Sequence, residues 1–283
     1  MKNIVVGIDF SQNSENALRH AVAVALKTKA KIHVVWVKTP TAASKLNVTD
    51  EAEMLRVAHS KLADLVTLSR TEAPNNEIQD VILEGKAYLE LAQFAANLPD
   101  SMLVVGSHGA SGFEEMFVGS NTMKIVGIAK VPVLIIGDHV QINRDLIKIL
   151  LPIDTSFETL QKIELAGEFA KAFAAKVSLL GVCSPCDAET KHIINVQLNH
   201  AVSMCTELNV RHSASTISVQ GNAPEAVVEW AKNEGVNLIA VMREEEDDIT
   251  AYWLGSSTRQ LLNLAPMPLL VIPNVNHFDV AAR

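Results

Sequence analysis

The chain contains one pattern twice. Ile149-Leu150-Leu151-Pro152-Ile153-Asp154-Thr155-Ser156 follows Ile4-Val5-Val6-Gly7-Ile8-Asp9-Phe10-Ser11 at an offset of 145, laying Asp154 on Asp9 and Ser156 on Ser11. Ala175-Lys176-Val177 answers Ala30-Lys31-Ile32 at the same offset. Further on, Gly221-Asn222-Ala223 answers Gly85-Lys86-Ala87, Gly255-Ser256 answers Gly119-Ser120, and Pro268 answers Pro132, now at 136. A tandem duplication obliges one supersecondary unit to form twice. The second copy is nine residues shorter, with the loss falling between its second and third strands. At 283 residues and 48% hydrophobic content there is enough chain and apolar material for two cores of ordinary domain size.

Within a copy, strands alternate with helices. Ile4–Asp9 reads as a buried strand, and Ser11–Lys29 as a helix with Ala17, Ala21, Val24 and Ala25 at helical spacing, capped by Ser11 or Ser14. Lys31–Val37, Ile78–Leu83, Met102–Val105 and Val131–Ile136 read as strands. Glu51–Ser69, Ala87–Leu98 and Thr122–Ala129 read as helices. Such alternation predicts an α/β fold of two tandem doubly wound domains, each a five-stranded parallel sheet with helices on both faces, packed as a pseudo-twofold pair. The expected domains are 1–140 and 145–275, joined through the polar bridge Asp138–Asp145 and followed by a tail, 276–283.

Between the strand at Met102–Val105 and the next helix lies a glycine-rich loop. A strand, a glycine loop and a helix start can together cradle an anion, because unpaired N–H groups and the positive end of the helix dipole converge there. Gly106 and Gly109 leave room for close backbone approach, and Ser120 adds a hydroxyl.

The full spacing, Gly106-x2-Gly109-x9-Gly119-Ser120, with Gly106-Ser107-His108-Gly109 at the loop and Pro132-Val133-Leu134-Ile135-Ile136 after the helix, resembles the ATP-binding signature of the universal stress proteins. The resemblance covers both copies. It implies a stress-response regulator holding ATP, with magnesium or manganese as an accompanying ion, in the first domain. Asp9 and Val37 would meet the adenine end, and Gly106, His108, Gly109, Gly119, Ser120 and Asn121 the ribose and phosphates. Asp9 has an alternative role as a helix-capping carboxylate. The resemblance further implies that the domains pair through their last strands, Val133–Ile136 and Leu269–Ile272. A homodimer and an unidentified protein partner stay open. No proton-transfer partner accompanies His108, so the reading is of a non-catalytic protein. The alternatives are a slow ATPase or phosphotransferase using His108 and Ser120, and a nucleotide-free scaffold for a protein or hydrophobic ligand.

The second copy departs from the signature. Met242 and Glu245 stand at the two loop-glycine positions, Pro152 replaces Gly7, and Glu244–Asp248 is an unbroken acidic run, so no triphosphate is expected there. Cys183-Ser184-Pro185-Cys186 is read as a strand-end turn with incidental thiols, in preference to zinc or redox chemistry. Three cysteines and no apolar run of membrane length suggest a cytoplasmic protein without a membrane partner. A net charge of −8 and 5% aromatics speak against nucleic acid.

Overall fold

The structure, a computed structural model, describes residues 1–40, 46, 48, 50–108, 118–137, 140, 146–243 and 256–274. These form two units, one carrying the first copy and the other the second. In the first unit the order is β1 (Asn3–Ile8), α1 (Gln12–Thr28), β2 (Lys31–Lys38), α2 (Glu51–Glu72), β3 (Ile78–Glu84), α3 (Ala87–Ala96), β4 (Ser101–Gly106), α4 (Ser120–Ile128) and β5 (Val133–Ile136). In the second it is β6 (Lys148–Ile153), a 3₁₀ turn (Phe157–Leu160), α5 (Lys162–Phe173), β7 (Lys176–Cys183), α6 (Ala188–Glu207), β8 (His212–Ser218), α7 (Ala223–Asn233), β9 (Leu238–Met242), α8 (Ser256–Leu264) and β10 (Leu269–Ile272).

The strand order is β3-β2-β1-β4-β5 in the first unit and β8-β7-β6-β9-β10 in the second. Every pairing within a unit is parallel. This is the expected doubly wound α/β fold. Strands buried on both faces must be apolar throughout, as Ile4–Val6, Met102–Val105 and Ile149–Leu151 are. Outer strands carry polar residues instead, and β8 exposes Ala214, Ser215, Thr216 and Ser218. Gly85 and Gly221, repeat partners directly after β3 and shortly after β8, both take positive φ (145° and 113°), which explains why the duplication keeps glycine there.

Three details differ from expectation. β5 begins at Val133, because Pro132 has no N–H for the ladder and contributes only its carbonyl, which accepts from the Leu103 amide at 2.9 Å. α4 starts at Ser120 with Gly119 as its cap, so Ser120 lies inside the first turn. Cys183 and Cys186 are joined in a disulfide, so the reading of incidental thiols does not hold; Cys205 is free and buried. That bridge sits where the second copy is short: the connection after β7 is only residues 184–187, against 39–50 after β2.

Candidate functional site

In a doubly wound sheet the strand order reverses between β1 and β4, and the carboxyl ends of those strands part to leave a crevice. The first unit builds its crevice there. β1 delivers Asp9 just past its end, β2 delivers Val37, β4 delivers Gly106 and His108, and the start of α4 delivers Gly119, Ser120 and Asn121. Seven of the eight residues singled out from the sequence therefore line one cavity. The eighth, Gly109, lies outside the described residues, as do Phe113, Met116, Phe117, Glu244–Asp248, Gly255 and the 276–283 tail.

The Asp9 carboxylate accepts from the Ser11 backbone N–H at 3.1 Å and the Ser11 hydroxyl at 2.6 Å. Ser11 Oγ in turn accepts the Ser14 N–H at 3.2 Å as the cap of α1. Asp9 thus buttresses the helix cap while lining the crevice. At the other wall, the Gly119 N–H is spent on the Ser107 carbonyl at 2.7 Å, and the Thr122 hydroxyl donates to the Gly106 carbonyl at 2.8 Å. These two bonds tie the base of the loop to the start of α4. First-turn N–H groups, here those of Ser120 and Asn121, have no carbonyl partner within their helix and carry the positive end of its dipole. His108 Nδ1 lies 2.8 Å from Ser107 Oγ.

Gly106 has a reason that its motif does not show. A Cβ there would come within 1.6 Å of Asn13 Oδ1, so the glycine makes room for α1. The sequence reading also missed Phe10 and Trp36. Both line the crevice, with ring centroids 6.0 Å apart and the Lys61 ammonium 5.2 Å from the Phe10 ring centre. Phe10 sits at φ 62°, a costly conformation for a bulky residue and one that clusters at functional sites. In a chain with so few aromatics, two at the ends of adjacent central strands were the available signal.

The cavity measures about 140 Å³, below the roughly 300–1,000 Å³ of small-molecule pockets. Among the described residues no group of three or more His, Cys, Asp or Glu side chains is placed to hold a metal ion. No described helix is long and apolar enough to cross a membrane.

The second unit repeats the scaffold and changes the lining. Asp154 accepts from the Ser156 N–H at 2.8 Å and from its hydroxyl, and the Asp154 N–H reaches Thr159 Oγ1 at 3.3 Å, as the Asp9 N–H reaches Ser14 Oγ at 3.3 Å. Pro152 and Met242 line this crevice in place of Gly7 and Gly106. They do not close it: its volume is about 580 Å³.

The universal stress protein family model matches residues 1–137 and again 147–273. A universal stress protein of Methanocaldococcus jannaschii, MJ0531, is 25% identical over 139 residues, spanning 48% of this chain and 81% of its own. Among solved structures, a universal stress protein from Archaeoglobus fulgidus covers 96% of this chain and 98% of its own, at TM-score 0.75 and 18% identity, a likeness of fold. Another A. fulgidus universal stress protein, solved in complex with dAMP, covers 45% of this chain and 98% of its own, at TM-score 0.38 and 17% identity.

Proposed function

This chain belongs to the universal stress protein family, in tandem form, and from that premise we propose that its first unit binds ATP as a regulatory ligand without catalysing a reaction on it. One observation carries the reading: residues from position 9 to position 121, singled out from the glycine spacing and the family resemblance it carries, line a single crevice at the strand-order reversal. Phe10, Trp36 and Val37 offer an apolar wall for the base. Ser120 and Asn121, at the positive end of α4, face where phosphates would lie. A magnesium or manganese ion would be carried chiefly by the phosphates themselves, as is usual for such sites. His108 Nδ1 lies 2.8 Å from Ser107 Oγ, a contact that orients the ring, and the part assigned to it is positioning. Pairing of the units through Val133–Ile136 and Leu269–Ile272 belongs to the same proposal. Each is a short apolar strand at the end of its own unit's order, where an open edge would be a liability.

Ser120→Asp tests the nucleotide reading. An acid in the first turn supports the helix by roughly 0.3–1 kcal/mol, so the fold should hold, while its charge opposes the phosphates. Calorimetric titration of the wild type with ATP should give one site per chain. The variant should bind at least about tenfold more weakly, a loss of roughly 1.4 kcal/mol. Equal affinity in the variant, or two equivalent sites in the wild type, would count against the proposal.

A further inference from the structure

Lys162 is the largest fully buried side chain among the described residues, at 1% exposure. It occupies the second turn after β6, where the first copy has the buried Ala17. Its ammonium has three N–H donors and makes one hydrogen bond among the described residues, to Thr159 Oγ1 at 3.0 Å. That oxygen already accepts the Asp154 N–H. No carboxylate among the described residues stands within ion-pair distance; Asp154 acts on the ammonium only at longer range. Lys162 lines the 580 Å³ crevice. So does Asn274, whose side-chain oxygen is buried without a hydrogen-bond partner among the described residues. A cation with unused donors and an acceptor with no donor thus border one cavity, and both are costly to leave so.

We propose that the second unit's crevice is a binding site for a small phosphate-bearing ligand, free phosphate or a phosphomonoester, held by Lys162 and Asn274. Phosphate oxygens meet the unused ammonium donors. A phosphate that keeps one proton, as a monoester partly does near neutrality with its second pKa about 6, supplies the O–H that Asn274 lacks. Among the described residues the other charged groups lining the crevice are Asp154, Glu158 and Arg243. The Asp154 carboxylate is turned onto Ser156, which limits its opposition to an anion. This site is independent of the nucleotide reading for the first unit and takes a different ligand.

The test is binding to the full chain of inorganic phosphate and glycerol phosphate, read by calorimetry and phosphorus NMR, with chloride at matched ionic strength as control. The wild type should bind one phosphate ligand per chain in the second unit. Lys162→Met should weaken binding at least tenfold while unfolding as cooperatively as the wild type. Asn274→Asp, which leaves Lys162 in place, should weaken it comparably. Tighter binding of glycerol phosphate than of phosphate identifies a monoester as the ligand, and the reverse order identifies free phosphate. Introducing Ser120→Asp weakens any contribution from the first unit. No phosphate binding in that background, binding unchanged by Lys162→Met, or equal competition by chloride would overturn the proposal.

Discussion

Replacing Lys162 with methionine should make the ligand-free protein more stable. Burial lowers the ammonium from 10.5 to about 8, with Asp154 offsetting only part of that effect. A fall of about 2.5 pH units, at ~1.4 kcal/mol each, corresponds to about 3 kcal/mol against the charged folded form. Because the folded pKa lies below the unfolded one, the unfolded chain binds more protons between them, and wild-type stability rises with pH through that interval. The penalty is therefore full below about pH 8 and disappears above 10.5. Methionine fills nearly the same volume without charge, and Thr159 retains its bond from the Asp154 N–H. Urea unfolding in phosphate-free buffer, followed at Trp230 in the second unit, should show the variant ahead by about 3 kcal/mol at pH 7, about 2 at pH 9 and less than 1 at pH 10.5. Groups common to both proteins cancel in that difference. A variant less stable than the wild type at pH 7, with a gap that ignores pH, would mean that the buried ammonium is already compensated, and the reasoning would fail.

Gly106→Ala should destabilise the first unit by about 1–3 kcal/mol, because the new methyl overlaps Asn13 Oδ1. Thermal melts of Gly106→Ala with and without Asn13→Ala should show partial rescue, since the second change removes the obstructing group. His33 is buried with Nε2 3.0 Å from Asn3 Oδ1 and Nδ1 2.9 Å from Gln79 Nε2, and burial, then nearby Lys31, lowers its pKa. Burial likewise lowers that of His20. Their neutral forms are favoured in the folded state, so first-unit stability should decline as pH falls below about 6.5, and melting curves of His33→Gln should decline less. Reducing Cys183–Cys186 opens a loop of only three residues' separation, so by chain entropy the loss should be about 2 kcal/mol. Melts with and without dithiothreitol measure it, and a much larger drop would refute the chain-entropy account and point to packing lost around the turn.

The layout of strands and helices was legible because its cause is local. Apolar runs stopped by Gly106 or Asp9, helical spacing after Ser11, and the offset between copies fix element type and order without knowledge of contacts. The crevice was legible for the same reason: strand ends converge wherever the order reverses, so residues at or just past the ends of β1, β2 and β4 had to meet. What could not be read depends on who stands opposite. Gly106 makes room for Asn13, nearly a hundred positions earlier, and no spacing rule contains that pair. Phe10 enters the cavity through a left-handed backbone that its residue type disfavours. The disulfide needs Cys183 and Cys186 turned toward each other, which the sequence motif permits and does not require. Lys162 has a sequence signal, a charged residue at the register of Ala17, but nothing in the spacing shows that the position is buried.

The two crevices have diverged in a way that loss of function alone does not explain. The parts that serve folding are the same in both: an aspartate at the strand end accepts from a serine two residues on, and its own N–H reaches a hydroxyl three further along. The parts that face the cavity differ, with Pro152 for Gly7, Met242 for Gly106 and Lys162 for Ala17. A cavity wall released from binding would drift toward residues that burial tolerates, and a buried lysine is among the least tolerated. Its presence under an open crevice requires a compensating contribution to free energy. The cavity that it borders, with the unsatisfied Asn274 oxygen on the same lining, is where a bound anion would supply it.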